Sequence, residues 1–374
     1  MLKGLPAGLK VEIIGSPDRF RVTPGSVIGV AQAAGVELLI APKIDVDRLF
    51  ELLSYSRDLK FGPEVAWLDQ HRGLVESFVG AFLVAAGKAL GKGPLMGYTA
   101  RNEALPGFRG RLRTADQTRR RFGLPLPVEV TYDDYTIDID ENRLIKAALL
   151  RLIRLPLRSG RLRRRLGESL MLLDEVSGVK YTPSTTPIIR FTRLNQHYRD
   201  AVGLSKLVLA NTTVELRSGN TSFSQFFIDM DDVFEDFLYG GIGRRLPTGV
   251  KWQHERRIHL DVDRRATMKP DLSWWDGRKC LFVGDAKYKR TTGGENDDLY
   301  QMLAYCQATG LDEGTLFYAE AKEPMTYTVR HGGIRLRIES VDLGAPLEEL
   351  EIRLGEIAAR IVGSASAAAH SMAA

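Results

Sequence analysis

"KPDLSWWDGRKCLFVGDAKYKR", residues 269–290, sets Pro270-Asp271 fourteen residues ahead of the Asp285-Ala286-Lys287 triplet, with Asp276-Gly277 between two runs rich in Trp, Leu, Phe and Val. Apolar runs on either side of an Asp-Gly pair predict a β-hairpin. At about 3.3 Å per residue, the outgoing and returning strands bring Asp271, near the start of the first, beside Asp285, near the end of the second. Asp285 and Lys287 leave the same face of their strand while Ala286 points the other way.

One face then carries two carboxylates and an ammonium. That set suits phosphodiester hydrolysis: carboxylates hold Mg²⁺, and the lysine orients water or stabilises developing charge. A bare D-x-K triplet is more often a surface strand with a salt-bridged pair, so the flanking segments decide its weight. "QFFIDMDDVFEDFLYGG" (225–241) has helical periodicity through Phe227, Met230, Phe234, Phe237 and Leu238. Glu235 lies at the border of that apolar face, either reaching a neighbouring sheet or solvated among Asp231, Asp232 and Asp236. "ENDDLYQMLAYCQATG" (295–310) predicts a helix capped by Asp297 or Asp298 and stopped by Gly310. Gln301 and Tyr305 share a face of that helix. They stand at the edge of the stripe Leu299, Met302, Leu303 and Cys306, either packing there or offering hydrogen bonds to a substrate phosphate and the catalytic groups.

The rest of the chain frames this constellation. Its 374 residues, 44% hydrophobic and 26% charged, suffice for two or three soluble domains. A net charge of +5 permits a polyanionic partner without demanding one. Two cysteines and no secretory h-region point to a reducing cytoplasm. The apolar stretch "SFVGAFLVAAGKAL" (77–90) is interrupted by Lys88 and falls short of the roughly 20 residues of a membrane span, so it reads as a buried helix, and no membrane contact is expected. Residues 10–41 read as short strands and Val46–Tyr55 and Pro63–Leu90 as helices. The basic stretch 98–128 reads as a connector or partner-contacting surface, and 129–152 as a strand followed by a helix. Asp133, Asp134, Asp138, Asp140 and Glu141 ahead of that helix suit its N-terminal dipole better than a metal. The arginines of "RLIRLPLRSGRLRRRL" (151–166) fit a solvated face and phosphate contacts equally. The six histidines are scattered, without zinc spacing.

The order of a Glu-bearing helix, P-D, D-A-K on the next strand and Q-x-x-x-Y on a helix resembles the PD-(D/E)XK nuclease superfamily. More narrowly, "DMDDVFEDFL", "KPDLSWWDG", "GDAKYK" and "DDLYQMLAYC", together with "GVELLIAPKIDVDRLFELLSYS", "LPGFRGRLRTADQ" and "YDDYTIDIDENRLIKAALLRLI", resemble the McrC family of McrBC modification-dependent (5-methylcytosine) restriction systems. The resemblance spans roughly residues 20–320 and leaves out the arginine-rich insert and the alanine-rich tail.

The resemblance implies an α+β, α/β multidomain chain. A β-rich and helical partner-docking region (1–128) and a helical middle region (129–220) precede a restriction-endonuclease-like domain with a mixed sheet flanked by helices (221–361) and a disordered tail (362–374). It implies Asp271 and Asp285 as metal-binding carboxylates, Lys287 as the catalytic lysine, and Glu235 as the acid that completes the metal site or orients the attacking water. The Ala286 carbonyl is implied as a further metal ligand, with Gln301 and Tyr305 in support. The implied cofactor is Mg²⁺, with Mn²⁺ as a substitute. The implied partners are DNA and a hexameric McrB-like AAA+ GTPase docked on the N-terminal region, whose NTP hydrolysis the chain stimulates. With no G-x-x-x-x-G-K-[ST] motif, this chain is expected to hold no nucleotide site. The alternative is a non-enzymatic assembly factor that keeps the nuclease fold as scaffold; the intact acidic and lysine positions weigh against it. Phosphate contacts predict DNA affinity falling by about 0.9 log units per log salt for each phosphate neutralised.

Overall fold

A computed structural model describes residues 9–14, 20–33, 36–57, 73–182, 184–217, 221–291, 294–321 and 324–370. The chain divides into two compact units, one formed by Met1–Gly29, Leu39–Lys60 and Phe227–Ala374, the other by Val30–Leu38 and Phe61–Phe226. The N-terminal strands are β1 (Lys10–Ile13), β2 (Phe20–Thr23), β3 (Val27–Ala33) and β4 (Val36–Ile40), followed by helix α1 (Val46–Arg57). Next come α2 (Leu74–Leu90), β5 (Gly97–Leu105), β6 (Arg111–Leu112), α3 (Thr114–Arg121), β7 (Val128–Thr136), α4 (Asp140–Leu152), α5 (Gly160–Met171), α6 (Arg199–Asn211), β8 (Thr212–Arg217) and β9 (Thr221–Asp229). The C-terminal part holds α7 (Met230–Gly243), β10 (Lys251–His254), β11 (Ile258–His259), β12 (Thr267–Met268), β13 (Leu272–Asp276), β14 (Lys279–Thr291), α8 (Asn296–Thr309), β15 (Glu313–Ala321), β16 (Met325–Thr328), β17 (Arg335–Ser340) and α9 (Leu347–His370).

In the unit containing residues 61–226, α2, α4, α5 and α6 bury Phe78, Phe82, Leu144, Ala148, Leu149, Leu152, Leu162, Leu166 and Leu207 among themselves. The α4 positions Leu144, Ala148 and Leu152 recur at four, the spacing that builds one apolar stripe. The stretch 98–128 is not a connector. Its first part is β5, which pairs antiparallel with β7 from Gly97↔Thr136 to Leu105↔Val128, and its last part includes α3. A domain cut at 128 would separate these two strands, whereas the cut at 220 falls six residues from the Phe226/Phe227 division between the units. Of the acids ahead of α4, Asp138 and Asp140 pair with Arg143. Asp138 accepts from Arg143 Nε at 2.8 Å and Nη2 at 2.9 Å and from Ser177 N and Oγ at 2.8 and 2.7 Å, so Arg143 first of all holds its carboxyl well below the usual range.

In the other unit the sheet runs β10–β13–β14–β15–β17–β16. β14, β15 and β17 are mutually parallel, β13 pairs antiparallel with β14, and the edge strands β10 and β16 pair antiparallel with β13 and β17. The mixed sheet follows from connection length: β13 and β14 are joined by a tight turn with Gly277 at φ +58°, whereas α8 carries the chain from β14 back to the parallel β15. Val283, Leu316, Tyr318, Leu336 and Ile338 pack with Met302, Tyr305 and Cys306 of α8 in one core. Cys280 and Cys306 lie in that core as free thiols, pushed up to about 12 by burial. α7 and α9 pack on each other and on β14. The alanine-rich segment expected to be disordered is helical as far as His370, continuing α9, as befits the residue with the highest helix propensity; residues 371–374 lie outside the described set. No helix among the described residues is long and apolar enough to cross a membrane.

Candidate active site

The hairpin register fixes the two carboxylates. Leu272 pairs with Gly284, and one step further out Asp271 meets the Asp285-Ala286 segment, where its Oδ2 accepts the Ala286 N–H at 2.7 Å. Asp285 is 1% exposed. Lys287 leaves β14 on the same side, and its Nζ lies 2.5 Å from Asp285 Oδ2 and 3.0 Å from Gln301 Oε1. All three β14 positions expected from the sequence thus converge with Asp271.

α8 supplies a relay. Tyr305 OH donates to the Lys269 carbonyl at 3.1 Å, so its oxygen accepts from Gln301 Nε2 at 2.8 Å. With the amide nitrogen committed to Tyr305, the amide oxygen faces the Lys287 ammonium. Tyr305 stands not at the edge of the apolar stripe but inside the core, 2% exposed, while Leu299 and Leu303 pack only partly against that core. The helix start also differs from the expectation. Glu295 is the residue before the first turn, without a side-chain cap. Asp298, in the first turn, accepts from Tyr318 OH at 2.5 Å and pairs with Lys289 at 2.8 Å. Because the helix begins at Asn296, Asp297 and Asp298 both fall inside its first turn, where they suit the dipole rather than the cap. Gly310, at φ +70°, ends α8 as expected.

Glu235 comes from α7, half-buried, with Oε2 3.5 Å from His254 Nε2. That carboxylate raises the imidazole pKa. One turn earlier on α7, which packs on β14, burial raises the Asp231 carboxyl. His254, Asp231 and the Lys269 carbonyl are the members of this neighbourhood that sequence reasoning misses. β10 and the segment before β13 reach the site only through tertiary pairing, His254 opposite Leu272, and no local pattern announces it. The two tryptophans do not enter the site: Trp275 is buried in the core beneath the Arg256 guanidinium, 3.6 Å above its ring, and Trp274 pairs with Phe282.

The electrostatics of this place are costly to the free protein. Burial pushes Asp271 up to about 9, helped by the nearby Asp285 and Glu235 charges. Burial also raises Asp285, although Lys287 opposes the shift. Burial works against the Lys287 ammonium, yet Asp285 and Asp271 hold its pKa above the ordinary value. Two buried carboxyls that resist ionising together beside one lysine lack positive charge. Asp285 Oδ2 is buried, pairs with the Lys287 ammonium by charge, and has no well-aligned hydrogen bond. Among the described residues no group of three or more His, Cys, Asp or Glu side chains forms a ready metal cage. Mg²⁺ needs none, since one or two carboxylates, waters and substrate phosphates complete its shell. The deficit of positive charge and the poorly satisfied oxygen fit a divalent cation held by Asp271 and Asp285.

The chain is similar to known proteins over most of its length. The family model described as McrBC 5-methylcytosine restriction system component matches residues 22–319. The Escherichia coli K12 type IV methyl-directed restriction enzyme EcoKMcrBC is 24% identical over 276 residues, 68% of this chain and 79% of the relative. Among solved structures, the half-complex of Thermococcus gammatolerans McrB AAA+ hexamers with bound McrC superposes with a TM-score of 0.59 at 20% identity, covering 92% of this chain and 84% of that one.

Proposed function

Because this chain belongs to the McrBC 5-methylcytosine restriction system component family, we propose that it is the DNA-cleaving subunit of such a system, a Mg²⁺-dependent endonuclease of PD-(D/E)XK type. The observation that carries the reading is the convergence of two buried carboxyls, both raised by burial, on one lysine at Asp271, Asp285 and Lys287. Structural ion pairs also perturb pKa values, but packing alone gives no reason to bury a second carboxyl beside a pair that one lysine already balances.

Asp271 and Asp285 would hold the ion, with the Ala286 carbonyl as a further oxygen. Mg²⁺, or Mn²⁺ in its place, supplies Lewis acidity and charge neutralisation at the phosphate. The Ala286 N–H holds Asp271 by one oxygen and leaves the other for the site. Lys287, steered by Gln301, presents its ammonium where the attacking water and the developing phosphate charge require a donor. Gln301 is in turn oriented by Tyr305, and Tyr305 by the Lys269 carbonyl. Glu235 stands on the neighbouring helix as the acid that completes the site.

A McrB-like AAA+ GTPase would recruit and trigger the subunit, docking on the region up to about residue 220. In support, the sheet β5–β7–β6 with α3 exposes Tyr98, Tyr135, Phe108 and Phe122 among arginines. The test is cleavage of methylated and unmethylated plasmid with Mg²⁺, with and without partner and GTP or ATP, comparing wild type with Asp285→Ala. Cleavage that requires partner, nucleotide and Asp285 supports the reading. A mutant that cuts as well as wild type removes the site, and a mutant that only stimulates the partner's hydrolysis leaves a scaffold role.

A further inference from the structure

The arginine-rich segment lies outside the nuclease chemistry, and its placement is unusual. On α5, Leu162 and Leu166 are buried four residues apart, which turns Arg161, Arg163, Arg164 and Arg165 outward; all four are exposed, as are Arg154 and Arg158 ahead of the helix. Arg161, Arg164 and Arg165 occupy neighbouring positions on one face, at three- and four-residue spacing. Among the described residues, no carboxylate lies within ion-pair distance of Arg154, Arg161, Arg164 or Arg165; Arg158 reaches Glu37 only at 3.8 Å, from a side chain 83% exposed.

The local energetics oppose this arrangement. Like charges three and four apart on a helix repel, and cations in the first turn face the positive end of the helix dipole. The other helices described, α1 to α4 and α6 to α9, all carry an acidic residue in the first turn; α5 carries none. The helix is kept in place instead by its packing and by anchoring at its start, where Ser159 accepts from the Leu162 N–H and Glu76 accepts from the Arg158 and Ser159 N–H groups at 2.8 and 2.7 Å. A rigid row of unneutralised guanidiniums that costs stability in the free chain is explained by a polyanion that neutralises it.

We propose that the outer face of α5, with Arg161, Arg164 and Arg165 at its centre and Arg158 beside it, is a phosphate-backbone contact surface for duplex DNA, separate from the nuclease site. The inference rests on DNA being the substrate. Guanidiniums match phosphate oxygens in pairs, and residues 158–171 contain no Asn or Gln that would read adenine edges. Contacts to phosphate carry no sequence information, so a surface that meets the backbone reads neither sequence nor methylation. It holds the duplex to the subunit and leaves selection to other parts of the system.

The test is the salt dependence of binding of a labelled duplex to the full-length chain in divalent-free buffer. Arg161→Ala/Arg164→Ala/Arg165→Ala is compared with wild type, with the lysine triple variant, and with Arg119→Ala/Arg120→Ala. The last pair removes exposed charges that already have Asp116 as partner, at 3.1 and 4.0 Å. The alanine triple should bind more weakly, with the slope of log affinity against log salt reduced by about 0.9 for each phosphate that is no longer neutralised. The lysine triple should keep most of the slope, and methylated and unmethylated duplex should respond alike. An unchanged slope in the alanine triple, or an equal fall per charge in the Arg119/Arg120 variant, overturns the proposal while leaving the nuclease reading in place. An unchanged slope together with failure to associate with the AAA+ partner would assign the face to an acidic protein surface, to which the exposed Met171 and Leu172 at the end of α5 would then contribute. Wild-type binding without salt dependence would instead remove DNA as the substrate. Circular dichroism of the triple variants checks that α5 remains folded, as exposed arginine-to-alanine changes in a helix allow.

Discussion

Lys287 Nζ lies between Asp285 Oδ2 at 2.5 Å and Gln301 Oε1 at 3.0 Å, so a strand neighbour and a helix side chain fix one ammonium from two sides. Arginine cannot reproduce that position with a planar fork. Lys287→Arg and Lys287→Ala should both lower cleavage by about 10²-fold or more, the range for loss of a positioned catalytic donor. Single-turnover rates, with DNA binding measured separately, distinguish this from a binding defect.

The relay behind Lys287 predicts a graded series. Tyr305→Phe removes the hydroxyl that both orients Gln301 and satisfies the Lys269 carbonyl. It should cost about 1–3 kcal/mol of stability and reduce turnover while leaving DNA affinity near that of wild type. In a double-mutant cycle with Gln301→Ala the effects should be strongly non-additive, since both act through the same ammonium. Additive losses would show that the two residues act separately.

Asp271 sets a pH signature for the metal-free protein. Its carboxyl is raised from 3.8 to about 9 on folding. Between those values the folded chain binds a proton that the unfolded chain does not, so this group's contribution to stability falls as pH rises, by at most about 1.4 kcal/mol per pH unit. Thermal melts in chelator from pH 5 to 8 should show a declining contribution that Asp271→Asn flattens, and that variant should be more stable by about 0.5–2 kcal/mol near neutrality. A wild-type profile that rises across this window would contradict the assignment.

Divalent ion should reverse that signature. A ligand that binds only the folded state raises the melting temperature with concentration, so Mg²⁺ should stabilise wild type, most at higher pH where the carboxyls must ionise. Asp285→Ala should abolish the rise. Equal Mg²⁺ stabilisation of the variant would place the ion elsewhere.

Gly314 gives a structural control at a distance from the chemistry. A Cβ there would come within 2.4 Å of Met302 Sδ and 2.7 Å of Cys306 Sγ, pressing α8 away from β15. Gly314→Ala should destabilise by about 1–3 kcal/mol and, because Gln301 and Tyr305 ride on α8, reduce cleavage beyond what the fraction folded explains. Activity normalised to folded protein, measured well below the melting temperature, tests this.

The readable part of the site was the part built by short-range geometry. The Asp-Gly turn and the alternation around it give the hairpin, and the hairpin alone brings Asp271 to the Asp285-Ala286 segment. Gln301 was legible as a helix-face residue for the same reason. What escaped the sequence depends on partners distant in the chain. Tyr305 reads as an edge residue until the Lys269 carbonyl supplies its hydroxyl with an acceptor, and Asp298 reads as a cap until the helix start at Asn296 places it inside the first turn. His254 and Asp231 have no local signature, because their roles arise from β10 pairing with β13 and from α7 meeting β14. The pairing of β5 with β7 is of the same kind: its nearest paired ends, Leu105 and Val128, are 23 residues apart, and only the pairing shows that they share a sheet.

The two-residue connection between β13 and β14 also bears on how the site assembles in time. Closing so short a loop carries little entropic cost, and hairpins form in about 1–10 μs. The approach of Asp271 to Asp285 therefore depends on local pairing alone. Gln301 and Tyr305 lie further along the chain, so Lys287 gains its orientation only once α8 has packed.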